Sequence, residues 1–107
     1  MKYNFYFSPL AEKKLIGLLN YLIEEWSIKA KDNFKLILNE KLEQVSQSPE
    51  SCIKSEQLFN LYFCVVTKQT SFLYRIKNDE IEVITVFDNR ASFKSITKEI
   101  RKYYGRI

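Results

Sequence analysis

The sequence contains no histidine, only two glycines and two prolines, and no apolar run near the length of a membrane span. Histidine is the commonest general acid and base and the usual partner of a serine or cysteine nucleophile. Its absence leaves any catalysis to tyrosine, lysine, arginine, aspartate or glutamate. Few glycines and prolines leave little room for flexible linkers, so we expect a single domain over residues 1–107. A membrane span needs about 20 apolar residues, and none is expected here.

Cysteine is also scarce. Cys52 and Cys64 lack the Cys-x-x-Cys spacing, and no histidine is present to complete a metal site, so we assign no metal ligand and no cofactor. The N-terminal residues Met1 to Phe5 lack the charged head and apolar run of a signal peptide, and the expected location is the cytoplasm. In that reducing compartment both thiols should be free, with Cys64 in the core and Cys52 incidental.

Amphipathic periodicity predicts two helices in the first half of the chain. Ser8 and Pro9 suit the N-cap and first position of the first helix, and Ser27 is a second N-cap. Pro49 ends the second helix, because proline disfavours helical conformation in the residue before it. The apolar stripes are Leu15, Leu18, Leu19, Leu22, Ile23 and Trp26, then Phe34, Ile37, Leu38, Leu42 and Val45. We expect an antiparallel hairpin with Trp26 in the core.

Strand-like patterns follow a polar connector at residues 50–57. The predicted strands are residues 3–7, 58–66, 70–76 and 81–88. Residues 58–66 are apolar enough for a central strand covered on both faces. Ile81, Val83, Thr85 and Phe87 should share one face of the last strand. The predicted class is therefore α+β: a short N-terminal strand, an antiparallel helical hairpin, a three-stranded antiparallel meander and a basic C-terminal helix.

Positive charge is concentrated at the end of the chain. Residues 90–107 hold six of the 17 lysines and arginines and one of the 13 acids, a net charge of +5, whereas the first 89 residues carry −1. The change follows the corner Asp88-Asn89-Arg90. Beyond it, Phe93, Ile96, Ile100 and Tyr103 should share one helical face, and Lys94, Lys98 and Arg101 another. We divide the domain into a core at 3–90 and a basic tail at 91–107.

Several short motifs, in this order of elements, carry a resemblance to a known family. They are Phe7-Ser8-Pro9-Leu10-Ala11-Glu12, Tyr21-Leu22, Trp26, Phe34, Leu73-Tyr74-Arg75-Ile76 and the strand from Ile81 to Arg90. Over roughly residues 3 to 95 the chain resembles the RelE/ParE superfamily of toxins from bacterial type II toxin-antitoxin systems. The segment Val86-Phe87-Asp88-Asn89-Arg90 is most similar to the ParE-like branch, whose members include plasmid stabilization proteins.

The resemblance implies a toxin with one of two mechanisms. The ribonuclease branch enters the ribosomal decoding site and cleaves messenger RNA, using several lysines and arginines and often a tyrosine near the C-terminus. The ParE branch has no known nuclease activity and blocks DNA gyrase. Both are neutralised by an antitoxin that wraps the toxin. The resemblance thus implies a cognate antitoxin as partner, with DNA contacted only through it and no membrane involved.

Two arginines are the residues that a ribonuclease would use. Arg75 would bind the scissile phosphate through its planar guanidinium, but it can also pair with Glu82 or Asp88 on the adjacent strand, and we prefer this structural interpretation. Arg90 matches the arginine at the equivalent corner of superfamily members. A salt bridge from Arg90 to Asp88 is compatible with that role.

A gap in the basic residues favours protein binding over RNA cleavage. No lysine or arginine lies between Lys54 and Lys68, where the ribonuclease branch places basic residues. Tyr103 and Tyr104 lie too far beyond Arg90 to match the family's catalytic tyrosine. We therefore assign no catalytic residue and expect a ParE-like toxin that inhibits DNA gyrase. The expected target-binding residues are Asp88, Asn89, Arg90, Lys94, Lys98 and Arg101.

Two other functions stay open at this point. One is a ribosome-dependent messenger RNA endoribonuclease of the RelE type, with the ribosome and its message as partners. The other is a non-toxic scaffold that only binds its antitoxin. In each case the helical hairpin and an exposed sheet edge are the expected docking surfaces for the antitoxin.

Overall fold

A computed structural model describes residues 2–107 as a five-stranded sheet with two helices on one face and one on the other. The strands are β1 (Asn4–Phe7), β2 (Ile53–Ser55), β3 (Leu61–Val65), β4 (Thr70–Lys77) and β5 (Glu80–Asp88). The helices are α1 (Pro9–Glu25), α2 (Ile28–Gln47) and α3 (Phe93–Tyr104). The strand order is β1-β5-β4-β3-β2, with β1 parallel to β5 and the other pairs antiparallel. The predicted α+β class is confirmed, and only Met1 lies outside the described residues.

Local sequence sets the start of both helices in the hairpin. The Ser8 hydroxyl accepts a hydrogen bond from the Ala11 amide at 3.0 Å and donates one to the Ile84 carbonyl at 2.7 Å. The N-cap of α1 therefore also ties the helix to β5. Ser27 caps α2 through the Ala30 amide at 3.0 Å. Along the described helices, no segment is both long enough and apolar enough to cross a membrane.

Trp26 does not fill the core as the apolar stripe predicted. Its side chain is 73% exposed. The residue is the C-cap of α1, with a backbone φ of −127°, so the chain has already left the helix. A side chain at that position no longer follows the helical stripe, and Trp26 projects into solvent.

The meander has four antiparallel strands, not the predicted three. The predicted strand at 58–66 is shortened at its start, because Phe59 and Asn60 adopt left-handed backbone conformations with φ of 59° and 60°. The predicted connector at 50–57 contributes β2 and a short 3₁₀ turn at Glu56–Leu58. β2 has only three residues, too few for a period-two pattern to emerge from the sequence.

A β-bulge in β5 changes which side chains face the helical hairpin. The pairing with β4 passes from Val83 to Thr85 and leaves Ile84 without a partner. One extra residue reverses the alternation beyond it. Val86 therefore packs with the helical hairpin and Phe87 faces α3, whereas the sequence placed Phe87 on the same face as Val83.

The basic tail folds onto the sheet as α3, on the face opposite the helical hairpin. Ser92 caps the helix, and Ile96 and Ile100 are buried against Leu73, Ile84 and their neighbours. The buried face continues to Tyr104, four residues beyond Ile100. Phe93 and Tyr103, predicted to share this face, are 43% and 44% exposed because they lie at its margins.

Candidate functional site

Four polar side chains meet on the α3 face of the sheet, and we call them the Arg75 cluster: Tyr6, Arg75, Glu82 and Tyr104. Strand register explains three of them, because Glu82 on β5 lies opposite Tyr6 on β1 and opposite Arg75 on β4. Tyr104 arrives from the last turn of α3. Sequence reasoning set Tyr104 aside. The spacing Ile96, Ile100, Tyr104 was the signal that could have placed it over the sheet.

Both oxygens of the Glu82 carboxylate are engaged. Arg75 Nε donates to Glu82 Oε1 at 2.6 Å, and the Tyr104 hydroxyl donates to Glu82 Oε2 at 2.8 Å. The Arg75 guanidinium carbon also lies 5.5 Å from the centre of the Tyr104 ring, within range of a cation–π contact. Glu82 is 6% exposed. Of the two partners considered for Arg75, the structure therefore places Glu82 against it.

The cluster contains an arginine with unused donors and a tyrosine that stays protonated. The Arg75 Nη atoms make no hydrogen bond within residues 2–107, and 28% of the side chain is exposed. Burial, with a smaller effect of the Glu82 carboxylate, raises the pKa of Tyr104 to about 12 against the opposing effect of Ser8. At neutral pH the cluster therefore presents the Arg75 cation and the neutral Tyr104 hydroxyl, and the Glu82 carboxylate accepts a hydrogen bond from each.

A second arginine–carboxylate pair lies at the other end of the β4–β5 hairpin. We call Asp88, Asn89 and Arg90 the Arg90 corner. Arg90 Nε and Nη2 donate to the two carboxylate oxygens of Asp88 at 3.1 and 2.8 Å, and the Arg90 amide donates to Oδ1 at 2.8 Å. These side-chain and backbone bonds lower the pKa of Asp88 to about 2. The Arg90 side chain is 87% exposed, so it can also contact a partner.

Asn89 stabilises the corner itself. Its side-chain amide donates to the carbonyls of Thr67 and Lys68 at 3.1 and 2.9 Å, and its side-chain oxygen accepts from the Ser71 hydroxyl. Its backbone amide donates to the Gln69 carbonyl at 2.8 Å. These bonds fasten the β3–β4 turn to the end of β5. Asn89, predicted to bind a target, has its side-chain polar atoms committed within the fold.

A groove of about 1120 Å³ runs beside the Arg90 corner, between α1, α2 and the β3–β4 turn. Its apolar and aromatic lining includes Leu18, Tyr21, Leu22, Trp26, Phe34, Ile37 and Val86. The charged lining residues are Lys13, Lys14, Lys68 and Arg90 against the single carboxylate of Asp88. The groove is therefore apolar in its lining and positive in net charge. Sequence reasoning missed Lys13, Lys14 and Lys68, because distant segments bring them together.

The predicted site residues do not converge on one point. Arg75 lies opposite Glu82 and Thr70 lies opposite Asp88, so five residues of β4, about 17 Å, separate the two ends. Arg90 lines the groove on the helical-hairpin face, whereas Arg75 contacts α3 on the other. Lys94, Lys98 and Arg101 are exposed on α3, and Arg101 lies 5.3 Å from the centre of the Phe59 ring. One phosphate cannot contact both Arg75 and Arg90.

Comparison with known proteins identifies the fold. No family model and no curated protein matches the sequence. Among solved structures, the chain is similar to the Escherichia coli toxin RelE, determined in the free state with two arginines replaced by alanine. The two share 20% sequence identity with a TM-score of 0.61, over 97% of this chain and 99% of that one. The chain therefore has the fold of the RelE toxin, and the resemblance to the RelE/ParE superfamily holds at the level of the fold.

Proposed function

We propose that this protein is the toxin of a type II toxin-antitoxin system and that it cleaves messenger RNA on the ribosome. The observation that carries the proposal is the shared fold with the E. coli toxin RelE over nearly the whole of both chains. The sequence favoured gyrase inhibition of the ParE type, and the structural similarity adds no support to that interpretation. Toxins of the RelE branch are associated with ribosome-dependent RNA cleavage. This activity therefore becomes the first candidate for the present protein.

The Arg75 cluster has the groups that such a reaction needs. In RNA cleavage the ribose 2′-oxygen bonds to phosphorus, the bond to the 5′-oxygen breaks, and that oxygen needs a proton. We assign the phosphate to the Nη atoms of Arg75, whose Nε stays with Glu82. Tyr104, protonated at neutral pH, gives its proton to the leaving 5′-oxygen in place of its hydrogen bond to Glu82; solvent takes the 2′-hydroxyl proton and afterwards returns a proton to the tyrosinate. Before the reaction Glu82 holds both groups in position.

Dependence on the ribosome follows from how few cations the cluster has. β3 carries no lysine or arginine. Lys54 on β2 lies over the ring of Tyr62, and Tyr62 stacks on Tyr74 in the apolar cluster under the helical hairpin. Lys54 is therefore on the opposite face of the sheet from the Arg75 cluster. Arg75 alone then faces a transition state with extra phosphate charge. We expect no cleavage of free RNA, because the ribosome must position the message.

Primer extension on messages translated in a cell extract tests the proposal. The wild-type protein should give cuts in phase with codons, and Tyr104→Phe should lower the cutting rate about 100-fold, the usual contribution of a general acid. Arg90→Ala is the matched control and should cut as the wild type does. If the folded wild type makes no cuts, RNA cleavage is rejected. If Tyr104→Phe cuts at the wild-type rate, Tyr104 is not the acid.

Gyrase inhibition is the second candidate, and the Arg90 corner favours it. Arg90 is mostly exposed and lies beside a groove with exposed aromatic residues, features of a protein-binding surface. Under this alternative, the protein should stop supercoiling by purified gyrase, and Arg90→Ala should weaken that inhibition while Tyr104→Phe leaves it intact. Unimpaired supercoiling at saturating protein would reject it. If neither assay responds and cells expressing the protein grow normally, the chain is a non-toxic scaffold.

The groove is the surface we assign to the antitoxin. Of the four cations that line it, Lys14 pairs with Glu99 and Arg90 with Asp88, which leaves a net positive charge on Lys13 and Lys68. The groove therefore suits an amphipathic segment with acidic residues on its polar side. The exposed Trp26 supplies an aromatic contact at its margin. If an adjacent reading frame encodes a small acidic protein, that protein should bind the wild type, and Trp26→Ala should weaken binding at least about tenfold. Ile53→Ala, on the edge strand β2, tests the other expected docking surface, the exposed sheet edge, and should leave the affinity unchanged. If Trp26→Ala and Ile53→Ala bind the antitoxin with equal affinity, the groove is not the antitoxin-binding surface.

A further inference from the structure

The two cysteines, twelve positions apart in the sequence, meet at the end of the β2–β3 pairing: Cys52 directly precedes β2, and Cys64 lies in β3. The β2–β3 pairing runs Ser55 with Leu61, Lys54 with Tyr62 and Ile53 with Phe63, and extending this register by one residue beyond β2 brings Cys52 to the position opposite Cys64. Opposed residues of antiparallel strands have Cβ atoms about 4.5–5.5 Å apart, close to the separation that a disulfide requires. Both side chains belong to the apolar cluster under the helical hairpin.

The surroundings of the two thiols are unequal. Cys64 is 5% exposed, whereas Cys52 is only half-buried and can be reached from solvent. The neighbouring Cys64 thiol, with smaller effects of Tyr74 and Ser51, acts against burial and lowers the pKa of Cys52. The neighbouring Cys52 thiol and burial raise the pKa of Cys64. Cys52 is therefore the more accessible and the more acidic of the two thiols, and Cys64 lies beside it.

We propose that Cys52 and Cys64 form a thiol–disulfide exchange site for small-molecule disulfides such as oxidised glutathione. The Cys52 thiolate bonds to one sulfur of the disulfide, and the other sulfur leaves as a thiol. Cys64 then attacks the Cys52 sulfur, forms the Cys52–Cys64 bond and releases the second thiol. Two electrons and two protons pass from the protein thiols to the small disulfide, which is reduced to two thiols.

The bond would lock an edge of the sheet. β2 is the outermost strand, it pairs with β3 through three residues, and Ile53 at its start is 79% exposed. Residues 48–52 connect it to α2, and the Pro49 carbonyl accepts a hydrogen bond from Tyr74 at 2.7 Å. A Cys52–Cys64 bond closes the segment that holds β2 and the left-handed turn at Phe59 and Asn60. The attachment of β2 to β3 would therefore depend on the redox potential of the surroundings.

Intact-mass measurement of the full-length protein tests this site. The reduced wild type, incubated with oxidised glutathione, should lose the mass of two hydrogens and stop reacting with iodoacetamide. Cys64→Ala should retain one glutathione on Cys52. Cys52→Ala should react at least about tenfold more slowly, because only the buried thiol remains. In denaturant the two single variants should react alike, which separates an effect of the fold from an intrinsic difference between the thiols.

Three results would overturn the assignment. They are a wild type that carries two glutathiones, a wild type that forms a disulfide-linked dimer, and a folded Cys52→Ala that reacts as fast as Cys64→Ala. Circular dichroism of each variant establishes that it is folded before its reactivity is compared. The Arg75 cluster lies on the opposite face of the sheet, so the result does not depend on whether the protein cleaves RNA.

Discussion

The β4–β5 hairpin carries an arginine–carboxylate pair at each end, and the two pairs differ in burial. Arg75 and Glu82 lie under α3, with side chains 28% and 8% exposed. Arg90 and Asp88 lie at the Arg90 corner, with side chains 87% and 45% exposed. Each arginine nitrogen approaches its carboxylate closely, at 2.6 and 2.8 Å. The chemistry is therefore the same, and the surroundings decide what each pair can do.

Because the Arg75–Glu82 pair is buried, it contributes to the stability of the fold. Because the Arg90–Asp88 pair is exposed, it is available to contact a partner. A buried carboxylate that loses its cation is left uncompensated, which costs far more than losing an exposed pair screened by water. Glu82 therefore holds Arg75 and Tyr104 at one place, which the proposed RNA cleavage would require. Arg90 can exchange Asp88 for a carboxylate of a partner at little cost, as recognition requires.

The largest expected difference between the pairs is in stability. Arg75→Ala leaves the Glu82 carboxylate with only the Tyr104 hydroxyl and should lower the free energy of unfolding by about 3 kcal/mol. Arg90→Ala should leave the urea midpoint close to that of the wild type. Equal midpoints for the two variants in urea denaturation would show that burial does not distinguish the pairs.

A smaller effect is expected from Asn89, which supports the Arg90 corner without being part of its ion pair. Asn89→Ala removes three side-chain hydrogen bonds and should cost about 2 kcal/mol. Asn39→Ala, an exposed asparagine on α2, is the matched control and should change stability little. If Asn89→Ala unfolds at the wild-type midpoint, the β3–β4 turn does not depend on this side chain.

Ionisation of Tyr104 should lower the stability of the protein at alkaline pH. Its folded pKa of about 12 lies above the ordinary value of 10.0, so its contribution is complete below pH about 10 and is lost as the pH rises toward 12. Tyr104→Phe should cost about 1 kcal/mol at neutral pH and weaken the alkaline loss of stability. The exposed Tyr103→Phe should leave that loss in place. Urea titrations at several alkaline pH values give the comparison.

The smallest effect is expected at Asp88. Its folded pKa of about 2 lies below the ordinary value of 3.8, so its contribution is complete above pH about 4 and disappears as the pH falls through 2. Because the group is exposed, Asp88→Asn should shift the melting temperature only slightly at neutral pH and not at all near pH 2. A large shift at neutral pH would mean that this pair is structural, like the Arg75–Glu82 pair.

Local patterns predicted much of this fold. Ser8 and Ser27 act as N-caps, and α1 and α2 occupy the predicted segments. The Arg75–Glu82 pair was also foreseeable, because residues opposite each other in a tight hairpin follow from its register. The strand β2 and the position at which β3 begins could not be predicted from the sequence. A three-residue strand has no readable period, and nothing in the types of Phe59 and Asn60 demands a left-handed backbone.

The sequence by itself determined the α+β class, the helical hairpin, the concentration of charge in the tail and the lack of histidine chemistry. Tertiary structure decided which of these residues meet. The bulge at Ile84 reversed the faces of β5, and the packing of α3 brought Tyr104 to Glu82. The fold also brought Cys52 close to Cys64 and exposed Trp26. Periodicity reports which face a residue occupies within its own element, whereas contacts between elements depend on register and packing, which periodicity does not encode.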